Sequence, residues 1–119
     1  REYFEDFINR ATEAGIKDII IDPGFGFAKN LDQNYKLLRE MDNLKIERGN
    51  SGKYYPILAG LSRKSMIYKL LEKDPSDVLH ATSALNLTAL INGASILRVH
   101  DVKEASEIVK IYKKLTEKA

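Results

Sequence analysis

The sequence contains no cysteine, which excludes a disulfide framework, a thiolate metal centre and a cysteine nucleophile. That composition fits a reducing compartment, and a cytoplasmic location is the expectation. No apolar run approaches the roughly 18 residues that a membrane-spanning helix needs, so no membrane partner is expected. Charge of one sign is equally scarce. Nineteen Lys and Arg against seventeen Asp and Glu leave a net charge of +2, too small and too evenly spread to point to nucleic acid. Internal repeats and low-complexity tracts are also missing. The chain opens on Arg1 rather than methionine, inside what reads as a helix, so a truncated start is expected, with the true N-terminus and its targeting signals out of view.

What remains is an ordinary globular composition, 44% hydrophobic and 30% charged over 119 residues. By length this is one domain, residues 1–119, able to bury a core but small for a whole barrel enzyme. Tyr3, Phe4, Phe7, Ile8, Ala11 and Ala14 recur at helical spacing, with Gly15 placed to cap the C-terminus. Ile19-Ile20-Ile21 reads as a strand buried on both faces. A second helix is predicted over 32–44 through Leu37, Leu38, Met41 and Leu44, and an exposed connection over 45–55. Pro56-Ile57-Leu58-Ala59 is the second strand, ending at Gly60. A short helix over 65–72 and a longer one over 76–92, with Ser76 as N-cap, follow. Ser95 to Val99 is the third strand. Asp101 and Glu104 then resemble a capping box that opens the last helix.

Helices alternating with short apolar strands demand a parallel sheet with helical crossovers. Three such units leave open sheet edges, and a (β/α)₈ barrel takes about 250 residues. The chain reads as α/β, either the closing arc of such a barrel or part of an open doubly wound sheet. In both architectures ligands bind where the strands end.

Each strand end carries polar residues and glycine. After the first comes Asp22-Pro23-Gly24-Phe25-Gly26-Phe27. A carboxylate there is costly unless it meets donors; a flat heterocycle with adjacent ring N–H and amino groups would satisfy it, with Phe25 or Phe27 over an aromatic ring. Alternatively, Asp22 caps a turn and the phenylalanines plug the barrel mouth. After the second strand, Gly60-Leu61-Ser62-Arg63-Lys64-Ser65 leads into a helix and suits an anion, or is simply a solvated basic turn. After the third, Arg98 and His100 of Leu97-Arg98-Val99-His100-Asp101 project to the same side. An arginine and an imidazole beside a helix start suit a phosphate or pyrophosphate; the alternative is a structural ion pair between Arg98 and a carboxylate. His80 falls within a helix and reads as a surface or packing residue.

Taken in order, the three loops resemble the dihydropteroate synthase family across essentially the whole chain. Asp22 to Asn30, followed by Asn34-Tyr35 and Leu37-Leu38, is similar to the segment ending that family's barrel strand six. The stretch from Gly60 through Ser62-Arg63-Lys64-Ser65 is similar to the strand-seven loop, and Leu97 to Val102 to the strand-eight end. The resemblance implies a C-terminal arc, about three β/α units, of a TIM-type (β/α)₈ barrel. It further implies that Asp22 and Lys64 bind a pterin, Phe27 and Ser65 bind p-aminobenzoate, and Arg98 and His100 bind the departing pyrophosphate, with Lys64, Arg98 and His100 as the catalytic set. Arg63 receives no contact. The implied reaction joins a pterin pyrophosphate to p-aminobenzoate, releasing pyrophosphate. Implied too are Mg²⁺ with ligands outside this chain, a full-length homodimer, sensitivity to sulfonamides and an inactive isolated fragment that self-associates. The connection over 45–55 is longer and more polar than the family pattern, on the rim away from the chemistry. Two rivals share features: a methyltetrahydrofolate-dependent methyltransferase, which handles no pyrophosphate and should lack the Ser62–Ser65 and Arg98–Asp101 loops, and a non-catalytic paralogue, which should have lost its anion-binding residues.

Overall fold

Short parallel strands can be joined only by crossovers that run back along the sheet, and the alternating pattern folds accordingly. The computed structural model describes residues 2–25, 29–61, 65–74 and 78–117. Five α-helices are present among them: α1 (Glu2–Glu13), α2 (Leu31–Arg39), α3 (Ser65–Leu71), α4 (Leu79–Ile91) and α5 (Val102–Thr116). Strand β1 (Leu58–Ala59) pairs in parallel with β2 (Ile96–Leu97), Leu58 opposite Ile96 and Ala59 opposite Leu97. On its other side Ile57 bridges Ile21 in parallel, through Ile21 N–H to the Pro56 carbonyl at 2.9 Å and Leu58 N–H to the Ile21 carbonyl at 2.8 Å. Residues 19–21 are thus the third member of one parallel set, in the order first, second and third segment of the chain.

The helices pack on one face of this set. Ile19, Ile21, Ile57, Ala59 and Leu61 are buried among Leu38, Met41, Met66, Ile67 and Val78. The other face is open, and there the expectation for residues 19–21 fails. Ile20 is 52% exposed, so the segment is buried on one face rather than two. Alternation carries Ile20 away from Ile19 and Ile21, to the wall of an open cleft that it shares with α1.

Further departures concern helix ends. The predicted helix over 32–44 stops at Arg39 and continues as a 3₁₀ turn, Met41–Leu44. The Leu38 carbonyl is engaged by the Asn92 side-chain amide, 2.9 Å away beyond α4. Asp101 sits at the N-cap of α5, but its side chain makes no capping hydrogen bond. The capping box forms instead at α2, where the Asn30 side chain accepts from Gln33 N–H and the Gln33 side chain accepts from Asn30 N–H. The proposed cap Ser76 lies outside the described residues. Within the connection over 45–55, Glu47 bridges Tyr54 in antiparallel fashion, and Ile46 is buried. It is a small hairpin anchored at its base rather than a wholly exposed loop. Among the described residues no helix is long and apolar enough to cross a membrane.

Helix α2 is tied to α3 by Tyr35, whose hydroxyl donates to the Met66 carbonyl at 2.8 Å. Burial raises the Tyr35 phenol above its ordinary value of 10.0. Between that value and the higher folded one the native state holds the proton that the unfolded chain releases, so stability declines as pH rises through this window. Tyr35→Phe is expected to cost about 1 kcal/mol at neutral pH and to flatten the loss of stability above pH ~10. Urea melts of both proteins across that range check it.

Candidate functional site

Parallel strands end on the same rim, so the loops that follow residues 19–21, β1 and β2 meet there. The register also decides which side chains share the open face. Ile21 opposite Ile57 and Leu58 opposite Ile96 place Ile20 and Asp22, Leu58 and Gly60, and Ile96 and Arg98 together on it by alternation. Asp22 and Arg98 are thereby brought together, and His100 follows in the bend beyond β2 with its side chain exposed.

Asp22 is engaged through both oxygens. Its Oδ1 accepts from Gly24 N–H at 2.9 Å, across a turn that needs the positive φ of 74° at Gly24. Its Oδ2 accepts from Arg98 Nη1 at 3.4 Å. Of the two readings of Asp22, the turn cap is present; the carboxylate also stands at the rim, where a heterocycle would have to meet it. Lys29 braces the same turn from outside, its ammonium donating to the Pro23 and Gly24 carbonyls at 3.2 and 3.0 Å. Those carbonyls are drawn toward Lys29, which leaves the Gly24 N–H turned to the carboxylate. The motif containing Lys29 was visible in the sequence, but nothing in its spacing predicted this contact.

Arg98 and Asp22 lie on the outer members of the three-segment set, about two strand spacings apart. The guanidinium bridges that gap by lying over Gly60 of the middle segment. A Cβ at position 60 would fall 2.6 Å from Arg98 Nη2 and 3.0 Å from both Cζ and Nε. A side chain here would make the exposed guanidinium shift, so the glycine leaves open the seat in which Arg98 lies. Sequence reading marks Gly60 as a strand end; that a side chain from another strand crosses it becomes visible only once the register is known.

Phe25 is 2% exposed and belongs to the core, so it plugs the base of the first loop and cannot cover a ligand ring. Phe27, Lys64 and Arg63 lie outside the described residues. Ser65 begins α3, which puts its backbone at the rim. His80 is exposed on α4, in keeping with its exclusion from the site. Beside Asp22, away from β1, a cleft of about 750 Å³ is lined by Tyr3 and Phe7 of α1, Ile20, Lys29 and Leu37 among others. Its walls are apolar and its polar groups, Asp22 and Lys29, sit at the rim end. An aromatic heterocycle with a polar edge suits such a space.

Residues 1–100 match the family of pterin binding enzymes. The chain is 43% identical over 111 residues to the dihydropteroate synthase of Escherichia coli K12, covering 92% of this chain and 37% of that protein. Among solved structures, Yersinia pestis dihydropteroate synthase with a sulfonamide drug complex superimposes with a TM-score of 0.83 at 39% identity, over 96% of this chain and 40% of that one. The Burkholderia cenocepacia dihydropteroate synthase complexed with 7,8-dihydropteroate gives 0.88 at 36% identity, over 96% and 42% respectively. The chain thus spans 37% to 42% of the length of these relatives. With the rim geometry, the ordered loops and a family match over most of its residues all in agreement, the chain belongs to the pterin-binding enzyme family.

Proposed function

We propose that this chain supplies the strand-six to strand-eight arc of a dihydropteroate synthase barrel. The observation that carries the proposal is the facing of Asp22 and Arg98 across Gly60 at one rim. It puts an acceptor for a heterocycle's N–H edge within reach of a cation for the leaving anion. The likeness to synthases solved with 7,8-dihydropteroate and with a sulfonamide drug complex supports a pterin at Asp22 and a p-aminobenzoate or sulfonamide site close by. Lys64 is assigned to the pterin and the border of the arylamine site, Phe27 to the arylamine ring and Ser65 to its carboxylate. Arg98 and His100 take the pyrophosphate.

The chemistry follows from these charges. The C–O bond between the pterin methylene and pyrophosphate breaks, and the electron pair leaves with pyrophosphate toward the Arg98 guanidinium and His100. The methylene becomes electron-poor, and the Asp22 carboxylate holding the ring's N–H edge stabilises positive charge that spreads into the pterin. The arylamine nitrogen forms the new C–N bond and gives up a proton. Magnesium, when bound, would neutralise pyrophosphate charge. The rim residues do not suit it as ligands: both Asp22 oxygens are engaged, and no three metal-binding side chains converge among the described residues. Its ligands are assigned outside this chain. The full-length protein is placed in the cytoplasm as a homodimer.

A corrinoid-serving methyltransferase would share the Asp22 loop but release no pyrophosphate, and would leave the seating of Arg98 over Gly60 without a use. Two outcomes test the proposal. Calorimetric titration of inorganic pyrophosphate into the chain is expected to show binding that Arg98→Ala weakens about tenfold, as loss of a charge-assisted contact implies; equal binding by both proteins would remove Arg98 from the anion site. Supplied with pterin pyrophosphate, p-aminobenzoate and magnesium, the 119-residue chain should form no dihydropteroate. Product accumulating above a blank reaction would show that this arc alone suffices.

A further inference from the structure

We propose that Arg98 is an internal stand-in for the pterin's N–H edge, occupying Asp22 until the ligand displaces it. The inference rests on the roles given to Asp22 and Arg98 in the proposed function and adds a coupling between them. A guanidinium and an amino-pyrimidine edge present the same pattern, two adjacent N–H donors on one planar, conjugated carbon framework, and a carboxylate accepts either in the same way. Oδ1 of Asp22 is held by Gly24 N–H, and Oδ2 is the oxygen that takes Arg98 Nη1. Both ligands cannot use it fully at once.

The pair is built to be displaced. At 3.4 Å, with the Arg98 and Asp22 side chains 59% and 41% exposed, it is a loose contact in a high-dielectric setting, of the kind that contributes little to stability. Its geometry is nonetheless defined, because the guanidinium crosses a whole strand to make it and lies where a Cβ on Gly60 would displace it. A guanidinium pushed off Asp22 remains at the end of β2, two residues before His100. A pterin that takes Asp22 therefore releases Arg98 toward the anion, and an anion that takes Arg98 frees Asp22 for the pterin. The two half-sites favour each other's occupation, and by linkage the effect is reciprocal. The arrangement discriminates as well: a pterin without its pyrophosphate displaces Arg98 but gives it no new partner.

The consequence runs against simple intuition, since removing a pterin-binding carboxylate should improve binding of inorganic pyrophosphate. The experiment follows the Arg98 Nε–H resonance in ¹⁵N-edited spectra, assigned by its loss in Arg98→Lys, during pyrophosphate titrations of the chain and of Asp22→Asn. In the absence of ligand, Asp22→Asn is expected to move that resonance, and Gly60→Ala, which keeps both charges but denies the guanidinium its seat, to move it in the same sense. Pyrophosphate is expected to bind Asp22→Asn about two- to fivefold more tightly, the range of a weak exposed pair. The same substitution in an Arg98→Ala background separates release of the guanidinium from loss of a negative charge, and an equal gain there overturns the proposal. So does an Arg98 signal indifferent to Asp22→Asn, which would mean that the pair does not form in solution. Pyrophosphate that binds without moving the Arg98 signal in either protein would instead overturn the anion role on which the inference stands.

Discussion

Three short segments running parallel and in register are the constraint on which the rest depends. One residue of the first segment and two or three of the others take part in pairing, yet that suffices to align their C-terminal ends. Parallel pairing obliges the chain to return by a helix after each segment, which covers one face with α2, α3, α4 and α5 and leaves the polar loops together on the rim. The same register selects which alternate residues look outward from the helices. A slip of one residue in any segment would send its functional side chain into the core, exchanging Asp22 for Ile21 or Arg98 for Leu97.

Much of this was legible in the sequence because it depends on local periodicity. The β-branched run at 19–21, the apolar run ending at Gly60 and the alternation through Arg98 and His100 are short-range signals, and each leads to the element that forms. Misreadings arise where a distant contact decides. α2 ends at Arg39, where the Leu38 carbonyl is met by Asn92 from more than fifty residues on. Asn30-x-x-Gln33 and Asp101-x-x-Glu104 carry the same kind of capping signal, but only the first closes. The backbone at Asn30 is fully extended, with ψ 176°, whereas at Asp101 ψ is 84° and the side chain makes no capping hydrogen bond. Ile20 was read as buried because a three-residue apolar run carries no mark of which face will be covered.

The site shows the same division. Asp22, Arg98 and His100 declare themselves by chemistry and alternation. Lys29 and Gly60 do not, since each acts through something sequence spacing cannot express: a lysine that holds two carbonyls of a preceding turn, and a missing methyl group beneath a side chain from another strand. Phe25 and Phe27 look alike in the motif, but Phe25 belongs to the core. The family resemblance assigned the ligand ring to Phe27 alone, and the packing of Phe25 agrees with leaving it out.

Helix α2 has a place in this design that its own residues do not advertise. Just before its N-terminus, Lys29 grips the turn that holds Asp22 and Asn30 closes the helix's first turn; from its middle, Tyr35 holds the opening turn of α3, where the second loop ends. A single rigid rod is thereby pinned to two of the three rim loops. The Asp22 turn and the start of α3 are held to one strut, so the gap between the heterocycle's seat and the start of α3 is set when the helix docks on the core rather than when a ligand arrives. Evolution can then alter the width of the site by changing side chains on the buried face of α2, well away from anything a ligand touches.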